Sequence, residues 1–175
     1  ARGVAFANTG RDQEAREELV LFDEAVKNIP VEGWMLGGQP AAEIMPLARF
    51  VLVGEIEFKA GNRKKGLDAL AKAVAFEHKL VYAEPAPWMM PARHAYGALL
   101  IVDGQYQEAE KVYLQDLEVF PANGWALLGL REALIGQERF EEAAITDKAF
   151  KLAWKSADVM PPASCYCGSA VASTE

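Results

Sequence analysis

Small and large residues recur along this chain at one fixed spacing. Gly3, Gly10, Ala15, Leu19 and Phe22 begin the series, and Gly54, Gly61, Gly66, Leu70 and Ala73 repeat it. Gly97, Gly104, Ala109, Tyr113 and Asp116 form the third set; Arg131, Glu138, Ala143, Asp147 and Phe150 form the fourth. The gaps are 7, 5, 4 and 3 residues in every set. Gaps of 7 and 4 keep residues on one face of a helix. The second residue of each set ends a helix, because glycine adopts the left-handed cap without steric penalty. The small residue five positions later lies where two helices cross, and its missing bulk lets the axes approach to about 8 Å. Pro121 stops the third hairpin. Gly97 and Ala109 are therefore expected as packing positions and Gly104 as a turn.

The pattern predicts helices over 1–9, 12–28, 41–60, 63–79, 91–103, 106–119, 123–137 and 139–155, with no strand. The turn positions 10, 61, 104 and 138 are separated by 51, 43 and 34 residues. The excess length falls near 27–46 and 78–91, which carry proline or glycine and read as loops. Trp34 and Trp88 lie in them and are expected to pack back and order them. From Ser156 onward, Pro161, Pro162 and small polar residues predict an irregular tail.

Residues 1 to about 155 resemble the tetratricopeptide repeat, a helix–turn–helix unit of 34 residues. Segment 90–121 carries the resemblance best, through Gly97, Gly104, Ala109, Tyr113 and Pro121. Gly66, Arg131, Glu138, Asp116 and Asp147 depart from the pattern. The stretches PWMMPARHAYGALL and PANGWALLGLREAL look like the C-terminal repeats of uncharacterised bacterial proteins of this kind. The resemblance implies an all-α, right-handed α-solenoid of about four repeats, at 1–28, 41–79, 91–121 and 123–155, followed by the tail 156–175. It implies that the first helix of each repeat lines a concave groove. The groove positions it assigns include Val51, Glu55, Phe58 and Lys59 in the second repeat, His94, Ala98 and Ile101 in the third, and Trp125, Leu128 and Glu132 in the fourth. Relatives that grip acidic chaperone tails use a Lys/Asn/Arg clamp there. Val51, Glu55, His94 and Ala98 stand in those places here, so an apolar or amphipathic protein or peptide partner is expected instead, anchored by Phe58, Ile101 and Trp125. The groove could equally be filled by the chain's own tail or by further repeats on its N-terminal side.

Composition narrows the partner. Of 175 residues, 51% are hydrophobic and 25% charged, as in an ordinary folded domain. The net charge of -7 disfavours nucleic acid and anionic membranes, whose binding needs a basic surface. Apolar runs fall short of the roughly 20 residues a membrane span needs. A cytoplasmic location is expected. The opening ARGVAFANTG reads as a helix already under way, so the chain is expected to begin inside a longer protein. An uncapped first repeat would suit a homodimer, whereas the last helix, with Trp154, would cap the other end.

Candidate chemistry is sparse. Cys165 and Cys167 could chelate a soft metal, but zinc needs four ligands and there are two cysteines. They read as an incidental pair, a local disulfide being disfavoured. His94 and His78 match no hydrolase or metalloprotease motif. His94 is expected to be partly exposed, and His78 suits a helix C-terminus. Glu55, Glu57, Glu132, Glu141 and Glu142 read as solvated carboxylates, and Arg63, Lys64 and Lys65 as a solvated turn. No catalytic residue, cofactor or metal site is assigned. The expected function is a non-catalytic interaction scaffold. The alternative is a docking or regulatory segment of an enzyme whose catalytic residues lie outside this chain.

Overall fold

The computed structural model describes residues 1–30 and 32–165. Among them are eight α-helices: α1 (Arg2–Asn8), α2 (Asp12–Lys27), α3 (Ala41–Lys59), α4 (Arg63–Glu77), α5 (Ala92–Val102), α6 (Tyr106–Val119), α7 (Gly124–Gly136) and α8 (Phe140–Ala153). Apart from one short hairpin, the regular structure of the described residues is helical, and sequence-adjacent helices pack on one another within each unit. It divides into two compact units, Ala1–Ala92 and Arg93–Glu175.

The four hairpin turns share one backbone geometry. Gly10, Gly61, Gly104 and Glu138 have φ of 76°, 90°, 77° and 60°. The next amide reaches back five residues each time: Arg11 to Phe6, Asn62 to Glu57 and Gln105 to Leu100 at 2.9 Å, and Arg139 to Leu134 at 3.0 Å. This is the Schellman closure, which satisfies carbonyls that a helix end leaves open. The same residue opens the following helix, its carbonyl accepting from Ala15, Gly66, Ala109 and Ala143 at 3.0 Å in turn. One tight turn thus ends one helix and starts the next.

Close packing follows the small positions. A Cβ on Gly54 would stand 2.5 Å from the Leu70 side chain, and one on Gly66 2.7 Å from the Phe58 backbone. A Cβ on Gly97 would stand 2.5 Å from the Tyr113 ring. In the last hairpin the equivalent pair is polar: Arg131 Nη1 bonds Asp147 Oδ1 at 2.8 Å. The two off-pattern residues compensate each other across the same crossing.

In the first unit, Ala7, Ala15, Leu52 and Ile56 form a core under Val4, Phe6, Leu19 and Phe22, joining α1, α2 and α3. In the second unit, Leu127, Leu128 and Phe150 pack with Leu117 and Trp154. Trp154 fills the space beside Gly124 and stands edge-on to Trp125, centroids 5.5 Å apart.

Two expectations about the loops need correction. A short antiparallel hairpin, β1 (Met35–Leu36) and β2 (Gln39–Pro40), occupies a stretch expected to hold no strand. Its turn residues Gly37 and Gly38 both have positive φ, the geometry that matches strand twist in two-residue hairpins. Trp34 does not pack back; it is 61% exposed. The backbone orders the loop instead: Ala41 N–H bonds Trp34 O at 2.7 Å, and Gly37 seats directly on Pro87, leaving no room for a side chain. Trp88 is half-buried.

Candidate functional site

A buried polar cluster lies in the second unit, where α5, α6 and the start of α7 meet. Asp116 on α6 is completely buried. Asn123 precedes α7, and its Oδ1 accepts the Trp125 N–H at 3.1 Å, capping that helix. The cap fixes the orientation of the amide, so Nδ2 donates to Asp116 Oδ2 at 2.9 Å. His94 Nε2 lies 3.1 Å from the same oxygen. Asn123 Nδ2 lies 3.1 Å from Nε2 as well, so whether Nε2 donates to the carboxylate or accepts from the amide depends on which ring nitrogen carries the hydrogen. Arg93, also buried, places Nη1 4.0 Å from the other oxygen, Oδ1. Asp116 Oδ1 has no hydrogen-bond partner among the described residues. The cluster is a polar pin through apolar packing. It is high-stakes, because every member left without a partner pays full desolvation.

His94 is therefore not the partly exposed histidine expected; it is 6% exposed. Its carboxylate orients it, but its Nε2 is spent on that contact, and the neighbouring hydroxyls of Tyr113 and Ser164 bond each other. Tyr113 rises from α6 between Gly97 of α5 and Gly129 of α7, and its ring fills the volume both missing side chains leave. Burial raises its phenol above the ordinary tyrosine range; Ser164 opposes that shift, and Asp116 and Glu132 add to it.

The tail supplies this hydroxyl partner. It is irregular through Cys165, yet Ser164 and Cys165 are only 4% and 2% exposed. Cys165 packs on Ala98, with Ala95 beside it. It is also disulfide-bonded, which corrects the expectation of an incidental thiol pair; Cys167 lies outside the described residues.

Two carboxylates in the first unit differ sharply. Glu55 is 1% exposed and takes one hydrogen bond, from Asn8 Nδ2 at 3.2 Å. Burial pushes its pKa up to about 7, with Asn8 and the Lys59 charge opposing. Glu57, one residue past Ile56, accepts from Lys65 at 2.9 Å, Asn62 at 2.8 Å and Arg16 at 3.1 Å. Lys65 foremost, then Asn62 and Arg16, hold its pKa down at about 2 against the opposing effect of burial. Neither is the solvated carboxylate expected; both are buried and tied into helix packing. Within the basic run, Lys64 pairs with Asp68 at 2.8 Å and Lys65 with Glu57. His78 caps the C-terminus of α4.

The assigned groove positions fall into three kinds. Val51, Lys59, Ile101, Trp125 and Glu132 are half-buried. Glu55, Phe58, His94 and Leu128 are buried in helix packing. Ala98 is buried beneath the tail. Glu132 pairs with Arg131 at 2.6 Å. Arg93, Asp116, Asn123 and Ser164 were not foreseen as a cluster; the signal available was Asp116, an acid at a position where the pattern wants an apolar residue. No group of three or more metal-ligating side chains occurs among the described residues, and no helix there is long and apolar enough to cross a membrane. No protein-family model, no curated protein and no solved structure matches the chain.

Proposed function

We propose that this chain is a non-catalytic interaction scaffold of the tetratricopeptide kind, its four hairpins stacked as a right-handed solenoid that offers a protein or peptide partner the faces of α3, α5 and α7. The observation that supports this reading is the recurrence of one turn in four hairpins of different sequence, with an equivalent crossing contact in the last three, Gly54–Leu70, Gly97–Tyr113 and Arg131–Asp147. Repetition of a unit that cannot bury its apolar face alone is the physical basis of stacked arrays. The polar cluster supports it as well. The His94–Asp116 pair is consumed in tying α5, α6 and α7 together, which suits a rigid display surface.

The test uses the half-buried positions, because Phe58 and Leu128 cannot be truncated without opening the core. The variant Val51→Arg, Lys59→Glu, Ile101→Arg, Glu132→Lys should keep the wild-type circular dichroism and lose partners captured from lysate by the wild type. Capture unchanged in the folded variant would refute the reading.

A further inference from the structure

Tyr113 is fully buried between α5 and α7, and its hydroxyl finds its partner in the tail. Tyr113 runs through a slot that exists only because Gly97 and Gly129 face each other across it. A buried phenol needs a hydrogen-bond partner, and that partner is the hydroxyl of Ser164. The next residue, Cys165, drops onto Ala98 beside Ala95, two small residues one helical turn apart on α5. The seat therefore accepts a short hydroxyl side chain and then the apolar Cβ and sulfur of a half-cystine.

What leads to the seat is held lightly. Trp154 Nε1 donates to Val159 O at 2.7 Å, anchoring the start of the tail. Between that anchor and the seat, Val159 and Met160 are exposed, and Pro161 and Pro162 offer no backbone N–H. Residues 155–160 are all exposed. A segment with so few buried contacts opens locally at low cost, without unfolding the helices beneath it.

We infer that the Tyr113–Ala98–Ala95 seat is a peptide-docking site, filled in cis by the Ser164–Cys165 pair. A partner enters by replacing it with an extended segment carrying a small hydroxyl residue followed by a small apolar one. Neither position takes a charged side chain: the seat is buried, and Asp116 and Glu132 already bear negatively on the Tyr113 hydroxyl. The inference rests on the scaffold reading above and names the ligand chemistry of one of its faces. The tethered tail competes at an effective concentration on the order of millimolar, so a partner's apparent affinity is weakened until the tail leaves.

The experiment uses the full chain and changes the tail alone. Ser164→Glu places a carboxylate in the seat, Ser164→Thr keeps the hydroxyl, and Ser164→Gly removes only the hydroxyl as a milder second variant. The probe is a fluorescein-labelled peptide of residues 158–165 carrying Cys165→Ala, followed by anisotropy. The expected result is binding at least ~10-fold tighter to Ser164→Glu than to wild type, with Ser164→Gly between them and Ser164→Thr like wild type. Ultraviolet titration of the phenols reads the seat independently, and a tyrosine ionising at lower pH in Ser164→Glu marks its opening. An opened seat that leaves peptide binding unchanged overturns the inference without touching the scaffold reading, which its own four-residue variant tests. A seat that stays closed in both Ser164→Glu and Ser164→Gly also overturns it. So does a wild-type dimer that the peptide dissociates, since the occupant would then be a second copy's tail.

Discussion

Two carboxylates two residues apart on α3 give this protein opposing responses to pH. Glu55 ionises near pH 7 when folded, against 4.5 ordinarily. Its folded pKa is raised, so the folded state binds the extra proton between those values, and stability falls as pH rises from 4.5 towards 7. The shift corresponds to about 3 kcal/mol. Glu57 has the opposite sign: its folded pKa near 2 gives stability above pH 4.5 that is lost as pH falls towards 2. Chemical denaturation across pH 2 to 8 should show Glu55→Gln abolishing most of the decline between pH 5 and 7. Glu57→Gln should leave that decline in place and flatten the acid limb. An unchanged slope in Glu55→Gln would mean the carboxylate is not held dry. Neither behaviour was legible from the sequence, where both residues read as acids on a helix. The difference arises because α1 covers Glu55 with Asn8, whereas α2 and α4 bring Arg16 and Lys65 to Glu57.

At the scale of elements, the hairpin turn dominates. Three turns use glycine at positive φ; the fourth uses Glu138 at 60°. A side chain in the left-handed region costs about 1–2 kcal/mol, part of which glycine returns as unfolded-state entropy. Glu138→Gly should stabilise the protein by roughly 0.5–1 kcal/mol, and Gly104→Ala should destabilise it by about 1 kcal/mol. Midpoints of urea unfolding at constant slope would check both, and two changes of the same sign would contradict the shared turn. The sequence located all four turns because the spacing of the small and large residues around them is local. It located Glu138 by register, although the residue type argued against it. Helix limits came within two residues for the same reason. The β1–β2 hairpin was missed because its signal, Gly37-Gly38, was read as a break in helical pattern rather than as a turn between strands.

For the whole molecule, the proposed solenoid makes a prediction about size. A compact chain of 175 residues has a radius of gyration near 16 Å. A stacked array of four hairpins should scatter X-rays as a longer particle, with a radius clearly above that value at infinite dilution. A radius of about 16 Å would argue for globular closure and against an open array.

By itself, the amino-acid sequence determined that this protein is helical, where its helices break, and which small residues let them touch. Those properties depend on capping chemistry and on a periodicity carried within each hairpin. Only the tertiary structure decided what the polar residues do. Asp116 meets His94, 22 residues earlier on another helix, and Ser164 meets Tyr113, 51 residues earlier. Such partners share no local pattern, because a hydrogen bond formed across a packed interior depends on where helices cross and not on how far apart residues stand in the chain.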